Sequence, residues 1–313
     1  MLKIVVTEFI DERVVDRLKE RFNVVFDTRL VDDRQELLKA IEDADGVIVR
    51  NRTQVDSELL DGAPRLKVVG RLGVGLDNID VDACESRGVA VKPAHGGNGS
   101  SVAEYVIAGA LMLRRNAYFS SRVMLAGQWP RQELIGREIS GSVLGLVGFG
   151  AIARETARRA QALDMQVVAY DPHLPEDAPE WGGVRRCETL DSLLEVADVV
   201  SLHVPLNDAT RHLIDAGSLA LMKSDAVLIN AARGGVIDEQ ALATALVEHR
   251  LAGAMLDVFE QEPLARGSCL EGVPNLILTP HIAGVTAESN ARISQITADN
   301  VTQALDNAEE LSS

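Results

Sequence analysis

Along the whole chain, short runs of β-branched and other apolar residues alternate with stretches in which apolar positions recur every three or four residues. A first series of strand-like runs comprises KIVVTE (3–8), NVVFD (23–27), GVIVR (46–50), LKVVG (66–70) and VAVKP (89–93). A second comprises SVLGLVGFG (142–150), MQVVAY (165–170), DVVSLHV (198–204), AVLINAA (226–232), LAGAMLD (251–257) and NLILTP (275–280). Strands separated by helical patterns predict parallel α/β units, and the long interval between the two series predicts two sheets. That interval holds a helical pattern expected to start at Ser100 or Ser101, with Glu104 completing a capping box, and to run to about Ala126. The last pattern, TAESNARISQITADNVTQAL (286–305), predicts a capped amphipathic helix that packs back on the first sheet, followed by a frayed polar end, NAEELSS. The expected organisation is a discontinuous first domain, 1–99 plus 286–313, and a second domain, 100–285.

Composition narrows the setting. With 313 residues, 46% of them hydrophobic and 25% charged, two domains can each bury a core. The most apolar stretch, VAEYVIAGALML (102–113), contains Glu104 and ends at Arg114-Arg115, too short and too flanked to span a bilayer. The amino terminus reads as a first strand and not as a signal peptide, so a cytoplasmic location is expected. Cys84, Cys187 and Cys269 are dispersed without a CxxC spacing, which predicts neither a disulfide framework nor a zinc site, and no metal is expected. The formal charge of -16 opposes binding to nucleic acid or to anionic membranes. It also requires that any anionic substrate be met by a local cluster of cations.

The segment GLVGFGAIARE (145–155) follows a strand and opens a helix. Gly148, Gly150 and Ala153 fit GxGxxG/A, in which the glycines allow a tight turn and let the backbone approach a pyrophosphate at the helix amino terminus. After the next strand comes Asp171, 23 residues beyond Gly148. A carboxylate there accepts both ribose hydroxyls of an adenosine and repels a 2′-phosphate, so NAD is the expected cofactor. His203 and Pro205 end another strand, His203 being expected to pack and not to react.

Three further fragments carry candidate chemistry: Arg233 in NAARGGVID (230–238), Glu262 in DVFEQEP (257–263) and His281 in TPHIAG (279–284). Each follows a strand of the second series, so all three are expected at one ligand-binding edge. Oxidising a 2-hydroxy acid needs a base for the hydroxyl proton while hydride leaves the carbon. An imidazole, which titrates near neutrality, can serve. Glu262 would stabilise the imidazolium of His281, and the planar donor fork of Arg233 would hold the substrate carboxylate.

With GRLGVGLDNID (70–80), GNGSSVAE (97–104) and LHVPLNDATRHLI (202–214), these fragments give the chain a nearly full-length resemblance to the D-isomer-specific 2-hydroxyacid dehydrogenases, in their phosphoglycerate dehydrogenase-like branch. The resemblance implies two Rossmann-like doubly wound parallel-sheet domains with a cleft between them. A homodimer is expected, with the long helix from about Ser100 and the WPRQ loop as candidate interface. It makes Arg233, Glu262 and His281 the catalytic set. Ala151, Ile152, Asp171, Val204, Ala231, Asp257 and Gly284 fall at its cofactor-contacting positions, beside Gly148, Gly150 and Pro205. The backbone around Gly73, Val74 and Gly75 would bind the substrate carboxylate, and Arg50, Arg52 and Arg71 are candidates for a second anionic group. The chain stops at Ser313, so feedback control through an appended regulatory domain is not expected. KPAHGGN (92–98) departs from the Asn-x-Pro common in relatives, while segments 49–60, 70–84 and 129–136 resemble most the members acting on 3-sulfolactate. (S)-3-sulfolactate is therefore the first substrate expected and 3-phosphoglycerate the second. A different class, an NAD(H)-sensing scaffold, is the rival reading.

Overall fold

The computed structural model describes residues 1–310 and divides the chain into two compact units: Met1–Asn98 with the chain from Val285 onward, and Gly99–Gly284. The first unit holds five parallel strands, β1 (Lys3–Val6), β2 (Asn23–Phe26), β3 (Gly46–Val49), β4 (Val68–Arg71) and β5 (Ala90–Pro93), in the order β2-β1-β3-β4-β5. Successive side chains of a strand point to opposite faces, so both faces need cover. Val5, Val47, Val49 and Val69 pack on one side with Leu37, Ile41 and Leu59. Ile4, Val6, Ile48 and Val68 pack on the other with Val15 and Leu18 of the helix Glu12–Lys19 and with Ile293, Val301 and Leu305 of the last helix.

That last helix, Ala287–Glu310, begins at a reciprocal cap in which the Thr286 N–H donates to Ser289 Oγ at 2.8 Å and the Ser289 N–H to Thr286 Oγ1 at 3.0 Å. The expected frayed end is helical as far as Glu310, and its last residues, 311–313, lie outside the described residues. Six other helices start on an aspartate whose carboxylate accepts a first-turn N–H: Asp11, Asp33, Asp56, Asp80, Asp215 and Asp238. Part of the acidity thus serves to cap helices.

The second unit holds β6 (Val143–Val147), β7 (Gln166–Tyr170), β8 (Arg185–Arg186), β9 (Val199–Leu202), β10 (Val227–Asn230), β11 (Gly253–Leu256) and β12 (Leu276–Leu278). They form one parallel sheet in the order β12-β11-β10-β9-β6-β7-β8, in which the order of strand addition switches sides between the parallel neighbours β6 and β9. Both units are therefore Rossmann-like α/β folds, and in such sheets ligands bind beyond the carboxyl ends of the strands. The two-residue β8 was not expected from the pattern, because two arginines on a sheet edge give no apolar signal.

The helix expected over 100–126 is corrected. It spans Gly99–Arg115, so Ser101 lies inside it, and Glu104 pairs with Arg159 at 3.4 Å on the helix Ala151–Gln161. It stops because Asn116 adopts a left-handed φ of 52° and because the chain at Gly136 crosses its end, the Arg137 N–H donating to the Arg114 carbonyl at 2.7 Å. The remaining periodicity is a separate short helix, Ser121–Leu125. Around it Tyr118, Leu125, Trp129 and Ile135 stand exposed, Leu125 at 90% and Trp129 at 73%. Among the described residues, no helix is long and apolar enough to cross a membrane.

Candidate active site

In the second unit, β6 ends in the glycine-rich turn. Gly148 has a φ of 85°, and a β-carbon there would lie 2.7 Å from the carbonyl oxygen of His203, so only glycine lets the turn close on the end of β9. Gly150 caps the helix Ala151–Gln161 with no side-chain hydrogen bond, and a β-carbon on it would meet nothing within 4 Å. The space beside Gly150 is thus open, at a turn where the first N–H groups of the helix have no intrahelical partner, which fits a pyrophosphate. Asp171, beyond β7, fixes the turn: its Oδ2 accepts the Phe149 N–H at 2.9 Å and its Oδ1 the His173 N–H at 2.9 Å. Each oxygen keeps a lone pair for a ribose hydroxyl. Trp181 stacks on Phe149 with ring centroids 5.1 Å apart, backing the turn from the core, a support the sequence does not announce. Val204 and Ala231 follow β9 and β10 and are partly buried, while Pro205 is exposed.

The loops after β10, β11 and β12 carry the candidate catalytic groups. Asn230 is buried and shapes the first of them, its Oδ1 accepting the Ala232 N–H at 3.0 Å and its Nδ2 donating to the Arg233 carbonyl at 2.9 Å. Gly234 then runs so close to Phe259 that a β-carbon would overlap the Phe259 carbonyl, which seats the arginine loop directly against the DVFEQEP loop. The Arg233 guanidinium donates to the Ala232 carbonyl at 2.6 Å and is partly exposed. Glu262 Oε1 accepts the Phe259 N–H at 3.1 Å, and its Oε2 lies 2.8 Å from His281 Nδ1. Both side chains are open to solvent, at 36% and 47%.

Asp257 is almost fully buried, and its carboxylate holds the histidine loop. Oδ1 accepts from Thr279 Oγ1 at 2.6 Å and from the Ile282 N–H at 2.8 Å, Oδ2 accepts from the Ala283 N–H at 2.8 Å, and the Asp257 carbonyl accepts the His281 N–H at 2.8 Å. Gly284 follows, partly buried. The sequence marked Asp257 only as a cofactor contact; its anchoring role shows in three dimensions alone.

In the first unit, Arg50 and Arg71 stand at the carboxyl ends of β3 and β4. The buried Glu8, which follows β1, gathers the loop after β3: its Oε1 accepts from the Arg50 N–H at 2.8 Å and the Thr53 N–H at 3.0 Å, its Oε2 from the Arg52 N–H at 3.3 Å. Nothing around Glu8 in the sequence signals this. Burial pushes the Arg50 guanidinium down from its ordinary range against the charge of Glu8, and its Nη2 donates to Asn290 Oδ1 at 2.8 Å. Arg71 Nη1 donates to the Leu72 carbonyl at 2.6 Å and covers Gly73, whose φ is 143°. Val74 and Gly75 continue that loop, partly exposed. Arg52 instead pairs with Asp32 on the exposed surface, which removes it from the candidate set. In the KPAHGGN loop, His95 and Lys92 line a cavity of about 390 Å³ with Pro93, Asn300, Gln303 and Asn307.

A turn open to a pyrophosphate, in one sheet with a carboxylate-paired imidazole, is the equipment of a dinucleotide-dependent dehydrogenase. Residues 107–283 match the model of the D-isomer specific 2-hydroxyacid dehydrogenase, NAD binding domain. The chain belongs to that family, as an NAD-dependent oxidoreductase acting on a CH–OH group. It is 59% identical to the (S)-sulfolactate dehydrogenase of Chromohalobacter salexigens over 97% of this chain and 99% of that one. It is 39% identical to the D-3-phosphoglycerate dehydrogenase of Methanocaldococcus jannaschii over 97% of this chain but only 58% of that protein. Among solved structures, the TT0316 protein of Thermus thermophilus superposes with a TM-score of 0.88 at 34% identity, covering 98% of this chain and 97% of that one.

His203, beside the glycine-rich turn, differs from His281. Its Nε2 lies 2.9 Å from Ser201 Oγ, and desolvation pushes its pKa down to about 4, so the ring is neutral at pH 7. A folded-state value below the ordinary imidazole value of about 6.5 contributes stability that is full above that pH and is lost as pH falls toward 4. Between pH 7 and pH 5 the wild type should therefore lose about 2 kcal/mol more than His203→Gln. Urea unfolding of both proteins at the two pH values checks this, and equal losses would show a ring that protonates freely in the fold.

Proposed function

We propose that this protein interconverts (S)-3-sulfolactate and 3-sulfopyruvate with NAD. The observation that carries the reading is the 59% identity to an (S)-sulfolactate dehydrogenase across nearly all of both chains. Stereochemistry is consistent with it. Sulfur on the third carbon outranks the carboxyl group in naming priority, so (S)-sulfolactate has the spatial arrangement of a D-2-hydroxy acid.

NAD, bound along the Gly148–Ile152 turn with its ribose on Asp171, supplies the hydride acceptor. Val204, Pro205, Ala231, Asp257 and Gly284 complete the cofactor contacts in this reading. His281 takes the hydroxyl proton at Nε2, because Nδ1 is committed to Glu262, and Glu262 offsets the charge the ring gains. Arg233 holds the substrate carboxylate and polarises the neighbouring oxygen. The first unit serves as the substrate-binding domain, its Gly73–Gly75 backbone and its Arg50 and Arg71 guanidinium groups offering donors to the anionic groups of the acid.

Comparison of kcat/KM for (S)-sulfolactate, 3-phosphoglycerate, D-lactate and D-glycerate with NAD should favour sulfolactate by at least ~10-fold. A higher value for 3-phosphoglycerate would move the assignment to that acid. Absence of turnover with every acid would favour an NAD(H)-sensing scaffold. His281→Asn should lower kcat by roughly 10²–10⁴-fold while the Kd for NADH is unchanged. Wild-type turnover in that variant would remove His281 from the mechanism.

The protein acts as a cytoplasmic homodimer in this reading. The support is an acidic chain with three free cysteines and the apolar surface of Tyr118, Leu125, Trp129 and Ile135, which a second copy would cover. Leu125→Asp with Trp129→Asp should yield monomers by analytical ultracentrifugation. An unchanged sedimentation coefficient would place the interface elsewhere.

A further inference from the structure

His281 is held in a backbone conformation it does not favour. Its φ of 51° lies in the left-handed region, where a β-carbon crowds the following carbonyl at a cost of roughly 1–2 kcal/mol. Such a residue persists only when its surroundings over-determine it. Here the fastening runs through the Asp257 carboxylate, which binds Thr279 on one side of His281 and the N–H groups of Ile282 and Ala283 on the other.

Thr279 does not act alone. Its hydroxyl proton is committed to Asp257 Oδ1 at 2.6 Å, so its oxygen is left as an acceptor. The Tyr105 hydroxyl lies 2.6 Å from that oxygen and must therefore be the donor. Tyr105 belongs to the helix Gly99–Arg115, whose Val106 and Ala110 are packed in the second unit's core beside Ile229 and Met255. Burial and the charge of Asp257 push the phenol up to about 12, which keeps its proton in place across the working pH range. The polar chain thus ties the histidine loop to a rigid helix.

We propose that Tyr105 is a positioning residue for the reaction: its hydroxyl, through Thr279 and Asp257, locks the left-handed His281 so that Nδ1 stays on Glu262. Removing the hydroxyl leaves Thr279 without its donor and frees the threonine to rotate away from Asp257. The loop then relaxes out of the left-handed conformation, and the ring leaves its carboxylate. This role rests on His281 being the proton acceptor, and one readout is chosen to be independent of that.

The test is Tyr105→Phe, with Thr279→Ser and Thr279→Val as a second pair, since the serine keeps the hydroxyl and the valine keeps only the shape. With sulfolactate, or with whichever 2-hydroxy acid supports turnover, Tyr105→Phe and Thr279→Val should lower kcat by about 10-fold or more, as expected for a misplaced catalytic group. Thr279→Ser should stay within about 3-fold of wild type. In ¹⁵N-histidine-labelled protein, the downfield Nδ1–H proton of His281, identified by its loss in His281→Asn, should persist in Thr279→Ser and vanish in the other two. Wild-type kcat in Tyr105→Phe, or a lowered kcat with the resonance intact, would overturn the positioning role. If His281→Asn itself turns over normally, the catalytic reading of His281 falls, and the resonance alone decides whether Tyr105 holds the ring.

Discussion

The candidate site depends on one buried carboxylate. Asp257 follows the strand β11 and accepts three hydrogen bonds from the loop that follows its neighbour β12, while its own carbonyl takes the His281 N–H. A charged acceptor makes each such bond worth about 1.5–3 kcal/mol, more than the cost of one left-handed residue. That inequality is why a histidine can occupy a conformation usually left to glycine or asparagine. The same bonds bring its Nδ1 within 2.8 Å of Glu262.

Asp257 is one case of a device repeated around both sheets, in which an acidic residue at the end of one strand holds the chain at the end of the next. Glu8, after β1, gathers three N–H groups following β3, and Asp171, after β7, holds the turn following β6. At the opposite edge, Asp198 before β9 accepts the Val143 N–H at 2.8 Å, and Asp45 before β3 accepts the Lys3 N–H at 2.8 Å. Parallel sheets create the need for this. Their connections are long crossovers, so adjacent strand ends are joined by no hairpin, and their loops would drift unless side chains tied them. A carboxylate suits the task because it only accepts, and the backbone beyond a strand end has N–H groups to offer.

The sequence reveals periodic elements well and these ties poorly. Eleven strands could be read from apolar runs because the strands of a parallel sheet covered on both faces are rich in apolar residues, largely buried in the middle strands and partly buried at the edges β2, β5 and β12. Arg233, Glu262 and His281 could be read because their fragments are distinctive. Glu8 could not: a single glutamate after a strand has the same local pattern whether it is exposed or collects three N–H groups from residues 42 to 45 positions away. Tyr105 looked like one more apolar residue in a helical stripe, and its partner lies 174 residues on. The helix through Ala126 was misjudged for the same kind of reason. Its apolar period continues past Arg115, while the element that ends it, the backbone at Gly136, arrives from outside the local window. Local sequence fixes what an element can be, and distant backbone decides where it stops.

The ties also change the meaning of the acidic composition. A net charge of -16 suggests a repelling field around any anionic ligand. Yet many of the carboxylates are consumed: six cap helices and five join strand ends, each facing N–H groups whose partial positive charge offsets part of its own. What a ligand meets locally therefore differs from the formal sum. At Arg50 the buried Glu8 is already engaged by three N–H groups, so the guanidinium keeps donors for another anion. At Asp171 the reverse holds. Its oxygens have spare lone pairs but no donor, so a ribose hydroxyl is welcome and a 2′-phosphate meets a like charge that two N–H groups offset only in part. In the proposed function, one kind of residue in one kind of structural role thus leaves Arg50 donors for an anion in the first unit and favours NAD over its phosphorylated form in the second.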